Sequence, residues 1–117
     1  VCLCGGITQA KKIAALAEAR GVLVVPHNPL SPVSTAACIQ LAAAVPNFAI
    51  QEYPLGEDSV PKNRIVKSTL TLKDGYLTVP EGPGIGIELN ESAMNDYPKK
   101  PRLYVTKLRE DGAVADQ

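Results

Sequence analysis

The sequence has a single histidine, His27, which follows directly on the apolar run Val22-Leu23-Val24-Val25-Pro26. A glutamate, Glu52, follows a second short apolar run, Phe48-Ala49-Ile50, after one intervening glutamine. An imidazole with an ordinary pKa of about 6.5 takes or gives a proton at neutral pH. A carboxyl group beside it either orients the ring or meets the charge that develops on a reacting carbonyl. If the two runs are neighbouring parallel strands, about 4.8 Å apart, both side chains reach the same small ligand. That chemistry is proton transfer next to a carbonyl or carboxylate. The competing reading makes His27 a structural loop residue and Glu52 an exposed strand end.

Other chemistry is poorly provided for. Three cysteines, Cys2, Cys4 and Cys38, form no metal set, because Cys2 and Cys4 are separated by a single residue and no histidine lies near them in sequence. They read as small apolar packing residues kept as reduced thiols, the usage of a cytoplasmic protein. Gly82, Gly84 and Gly86 lack the spacing and the strand-turn-helix frame of a dinucleotide fingerprint. Gly5-Gly6 reads as a tight turn ahead of a helix.

The elements that position His27 and Glu52 alternate. Ile13, Leu16 and Ala17 follow helical spacing within Thr8 to Arg20, with Thr8 as the cap and Gly21 just past the end. The run 22 to 26 has no polar alternation, the pattern of a strand buried on both faces. Ser31 caps a second helix with Pro32 at its first position, and Cys38, Leu41, Ala42 and Val45 line its apolar stripe before Pro46-Asn47. Residues 1 to 52 therefore read as strand end, helix, strand, helix, strand, a parallel α/β order. Functional groups of such folds gather at the carboxyl ends of the strands, where His27 and Glu52 stand.

The second half differs. Leu70 and Leu72 lead to Asp74-Gly75 and then Tyr76 to Val79, a hairpin with a two-residue turn. Asn90 caps a short helix from Glu91 to about Asp96, and Leu103, Val105 and Leu108 form one weak strand. Twelve basic and twelve acidic residues cancel and are spread along the chain, which argues against nucleic acid or an anionic membrane surface as a partner. No apolar stretch approaches the ~20 residues of a membrane span. A complete eight-stranded barrel takes about 250 residues, so a barrel reading of these 117 implies that roughly half or more of it is missing.

Gly5-Gly6-Ile7-Thr8-Gln9-Ala10-Lys11-Lys12-Ile13-Ala14, Pro26-His27-Asn28-Pro29-Leu30-Ser31-Pro32-Val33 and Phe48-Ala49-Ile50-Gln51-Glu52, taken in order, resemble a known family. So do Asp74-Gly75-Tyr76-Leu77, Gly82 to Leu89 and Asp111 to Asp116. The resemblance is to the C-terminal part of enolase-superfamily enzymes of the mandelate racemase and muconate-lactonizing branch, nearest to galactonate dehydratases. It implies an α/β fold, the C-terminal segment of a modified TIM barrel (β/α)₇β, with residues 1–53 as the last barrel strands and helices. Residues 54–117 would return to pack on a capping domain. It implies an Mg²⁺-dependent hydro-lyase that removes the proton α to the carboxylate of a sugar acid and eliminates water to give a 2-keto-3-deoxy acid. His27 would be the base and Glu52 the group that hydrogen-bonds the substrate carboxylate. The three Mg²⁺ carboxylates, and an aspartate that pairs with the histidine, are expected before Val1, in a homo-oligomeric parent, so these residues alone would be inactive. A racemase or cycloisomerase of the same superfamily, and a truncated non-catalytic product, stay open as alternatives.

Overall fold

The computed structural model describes residues 1–98, 100–101 and 108–113. Leu103 and Val105, expected in a terminal strand, lie outside the described residues.

Two helices carry the first half, α1 over Ile7–Glu18 and α2 over Pro32–Ala43. The cap of α1 is Gly6, not Thr8, at φ 94° and with no side-chain hydrogen bond. The turn from Val1 to Gly6 demands this left-handed backbone, which a side chain at position 6 would strain. The same turn, closed by Gly6 N–H to the Val1 carbonyl at 3.0 Å, replaces the expected strand end at residues 1 to 4. At the far end, Gly21 N–H bonds the Glu18 carbonyl and Val22 N–H bonds that of Ala17, the paired closure of a glycine-terminated helix. The expected buried stripe of α1 is corrected as well. Ala10 and Ala14 face the core while Ile13 and Leu16 are exposed, because the small alanine side chains let α1 approach α2 closely.

In α2 the expected cap and part of the expected stripe hold, but the helix ends at Ala43, which leaves Val45 outside it, and Ala42 and Val45 are half-buried. The Ser31 side chain accepts from Ser34 N–H with Pro32 in the first turn, and Cys38 and Leu41 are buried. Ala36 and Ile39 are buried too, so this helix is covered around most of its circumference and forms the centre of the core.

The two apolar runs meet in parallel. Val24 N–H donates to the Asn47 carbonyl at 2.8 Å and Ala49 N–H to the Val24 carbonyl at 3.0 Å, pairing Val24 with Phe48. Pairing stops at this bridge, so neither run is a continuous strand buried on both faces. Val22, Leu23, Val25 and Ile50 are 53%, 65%, 54% and 66% exposed. Parallel strands are stabilised by neighbours on both edges and helices on both faces, and among the described residues each run has one neighbour.

Lys73 and Tyr76 exchange both backbone hydrogen bonds across Asp74 and Gly75, at φ 51° and 81°, which is the expected two-residue hairpin turn. Only this one pair forms. A 3₁₀ helix over Lys62–Ile65 and an antiparallel bridge between Val66 and Leu89 follow no signal recognised in the sequence. The last helix among the described residues, α3, spans Ala93–Asp96 with Ser92 at its cap. Asn90 sits earlier, accepting from the Ser92 hydroxyl through its side chain and from Ala93 N–H through its carbonyl. Among the described residues no helix is long and apolar enough to cross a membrane.

Asn47 joins these elements: its side-chain amide donates to the Ala14 carbonyl of α1 at 3.0 Å and to the Val22 carbonyl at 2.9 Å. Removing both donors takes a partner from the Val22 carbonyl and the additional bond from the Ala14 carbonyl, around an 8%-exposed site. Asn47→Ala is expected to destabilise the full-length protein by about 2 to 4 kcal/mol. Thermal or denaturant unfolding checks this, and an unchanged midpoint contradicts it.

Candidate active site

His27 and Glu52 both sit just beyond the Val24–Phe48 bridge, at the ends of the two paired runs, and both are exposed. What joins them is the residue between them. Asn28 N–H, one peptide unit past His27, donates to Glu52 Oε2 at 2.5 Å. The Asn28 side-chain amide donates to the Glu52 backbone carbonyl at 3.1 Å. One residue thus fixes both the backbone and the carboxylate of Glu52, and it is covalently adjacent to the imidazole.

Behind this pair lies a buried polar core that the sequence reading missed. Asn28 Nδ2 also donates to Thr35 Oγ1 at 2.7 Å, and the Thr35 hydroxyl donates to Glu57 Oε2 at 2.6 Å. Asn28, Thr35 and Glu57 are each 0% exposed. Burial holds the Glu57 carboxyl above its ordinary value of 4.5, and Asp58 acts in the same sense. The Thr35 hydrogen bond and Lys62 pull it down. Position supplies the only sequence signal: Asn28 lies between the candidate base and Pro29, and Thr35 falls one turn past the Ser31 cap. Glu57 has none, because its burial depends on the loop from Pro54 folding back beneath α2.

The site is open on its outer side, where His27 and Glu52 face solvent. A separate apolar cavity of about 660 Å³ lies between α2, the run from Phe48 and the hairpin, lined by Ile39, Phe48, Tyr53, Leu72 and Tyr76 among others. It contains neither His27 nor Glu52. All three thiols are free, with Cys38 buried in α2 and held above its ordinary pKa mainly by that burial.

A family description, enolase C-terminal domain-like, matches residues 1–93. The chain belongs to this family. Among the relatives of this enolase-like chain, a D-galactonate dehydratase family member of Streptomyces bingchenggensis (strain BCW-1) is 38% identical over 114 residues. The match covers 96% of this chain and 27% of that protein. The D-galactarolactone cycloisomerase of Agrobacterium fabrum is 33% identical over 105 residues, covering 83% of this chain and 28% of that protein. A solved structure from Burkholderia xenovorans strain LB400, carrying the name L-alanine-DL-glutamate epimerase and bound to magnesium and fumarate, superposes with a TM-score of 0.75. It is 33% identical, over 81% of this chain and 23% of that one. The chain therefore spans about a quarter of the length of these relatives.

Among the described residues of this enolase-like chain no three His, Cys, Asp or Glu side chains are grouped to hold a metal ion. Glu52 is committed to the Asn28 N–H and Glu57 is enclosed around Thr35.

The buried Glu57 fixes a sign for the pH dependence of stability. Its folded-state pKa is raised, so the protonated form is favoured by folding. Its contribution is fully present below the unfolded value and is lost as pH rises through the folded one. Glu57→Gln removes that titration. The melting temperature of Glu57→Gln relative to the unchanged protein is expected to increase as pH is raised from about 4 to about 7. A gap that stays constant with pH contradicts this.

Proposed function

We propose that these residues belong to an acid-sugar dehydratase of the enolase superfamily and supply two of its active-site groups, His27 and Glu52. The observation that carries this reading is the hydrogen bond from Asn28 N–H to the Glu52 carboxylate, which ties that carboxylate to the residue next to the single imidazole. In the reading, the His27 imidazole removes the proton α to the substrate carboxylate. The electron pair left behind spreads into that carboxylate, and the Glu52 carboxyl, carrying a proton in this step, donates a hydrogen bond to it. Departure of the β-hydroxyl with a proton, as water, leaves an enol, which tautomerises by protonation at the β-carbon to a 2-keto-3-deoxy acid, so the net change is loss of one water. The dehydratase names of the relatives support this fate for the intermediate. The cofactor of the reading is Mg²⁺, with ligands outside residues 1–117, and no step assigned to His27 or Glu52 passes through it.

A second reading, cycloisomerisation or epimerisation, shares the proton removal and differs in the fate of the resulting intermediate. The cycloisomerase name of one relative and the epimerase name of one solved neighbour favour it.

The test is turnover of a panel of aldonic and aldaric acids by the full-length protein with Mg²⁺, with deuterium exchange at the α-carbon measured by NMR. The expected products are 2-keto acids, and His27→Asn is expected to lower exchange by about 100-fold or more. Full exchange in His27→Asn removes His27 from the reaction. Products that keep the substrate's oxygen count select the second reading.

A further inference from the structure

Asn28 has no donor left uncommitted. Its N–H holds the Glu52 carboxylate, one amide hydrogen holds the Glu52 carbonyl, and the other holds Thr35 Oγ1. The Thr35 hydroxyl, having accepted that hydrogen, has one proton to give. It stands 2.6 Å from Glu57 Oε2 and 3.3 Å from the Ser31 carbonyl, so the carboxyl oxygen is the closer acceptor. Donors therefore point one way from Asn28 through Thr35 to Glu57, and chains of this kind polarise and stiffen one another. All three side chains are shut off from water, so breaking one link leaves partners that solvent does not rescue.

We propose that Thr35, anchored by Glu57, is a positioning residue: acting through Asn28 it sets where the Glu52 carboxylate stands relative to His27. The inference rests on the reading of Glu52 as the group that meets the substrate. An amide is required at position 28, because only a side chain with two hydrogens on one nitrogen serves a hydroxyl and a carbonyl together. A hydroxyl is required at position 35, because the group must accept from Asn28 and donate to Glu57. Valine matches threonine in shape and does neither. With the amide of Asn28 released, its second bond to the Glu52 carbonyl loosens, and displacements of about 1 Å at reacting groups cost up to about 100-fold in rate.

The experiment uses the full-length protein with Mg²⁺. Thr35→Val is expected to lower kcat/KM by about ten- to 100-fold, and Thr35→Ser, which keeps the hydroxyl, to restore most of it. In a Glu52→Gln background, Thr35→Val is expected to cause little further loss, because the group it positions has already been replaced. Equal losses in both backgrounds, or a folded Thr35→Val protein with unchanged kcat/KM, overturn the proposal. If Glu52→Gln alone leaves kcat/KM intact, the functional reading of Glu52 falls instead. A crystal structure of Thr35→Val then decides the positioning claim: a carboxylate displaced from Asn28 N–H supports it, and one still held there overturns it.

Discussion

A carboxylate held by the N–H of a neighbouring chain segment is the contact on which this site depends. Asn28 N–H to Glu52 joins the ends of two runs that are otherwise paired by a single parallel bridge. One bridge with two hydrogen bonds does not fix the direction of the chain beyond it. The two bonds from Asn28 to Glu52 add that constraint where chemistry needs it, at the exits of the runs. Because Asn28 follows His27 directly, holding Asn28 limits where the imidazole can be. The loop between residues 26 and 31 is further stiffened by Pro26, Pro29 and the Ser31 cap.

The polar core beneath this contact runs against the usual preference for an apolar interior. Asn28, Thr35 and Glu57 occupy space that three aliphatic side chains would fill with less desolvation. Every donor in the chain from Asn28 through Thr35 to Glu57 has an acceptor, and the Glu57 carboxyl is shifted toward its neutral form, while Asn28 Oδ1 and Glu57 Oε1 stay buried without a partner. The arrangement also links three segments distant in sequence: the loop after His27, the first turns of α2 and the loop from Pro54. Apolar contacts hold α1 to α2 through small alanines, whereas the loops that carry the candidate site are held by directional bonds. Directional bonds set positions more narrowly than apolar contacts do.

The sequence made α2 and the hairpin turn legible because local chemistry decides both. A serine cap with a following proline, and an Asp-Gly pair between alternating residues, dictate backbone angles without help from distant residues. It also placed His27 and Glu52 at neighbouring ends, since the two apolar runs do pair in parallel. The cap of α1 escaped because Gly6 acts through its φ angle, while Thr8 merely has the right side chain. The buried face of α1 escaped because alanine packing outweighed the larger Ile13 and Leu16, which stay exposed. Continuous strands were expected from composition, yet strand formation depends on neighbours that the described residues do not provide on the second edge. Thr35 and Glu57 read as ordinary helix and loop residues, and only the tertiary fold turns them toward Asn28.

The exposed Val22, Leu23, Val25 and Ile50 are the counterpart of that uncovered edge, since aliphatic side chains in such numbers are normally covered. The candidate site is therefore a firmly held set of groups on an incompletely covered frame. The central claim is that Glu52 stands on Asn28 N–H, next to His27, when substrate is bound. Its most direct test is a crystal structure of the full-length protein with Mg²⁺ and a hydroxamate mimic of the deprotonated sugar acid. The account predicts that Glu52 stays bonded to Asn28 N–H while its other carboxyl oxygen meets the mimic, with the His27 ring facing the α-carbon. A mimic bound away from both residues, or a Glu52 carboxylate turned off Asn28, would contradict it.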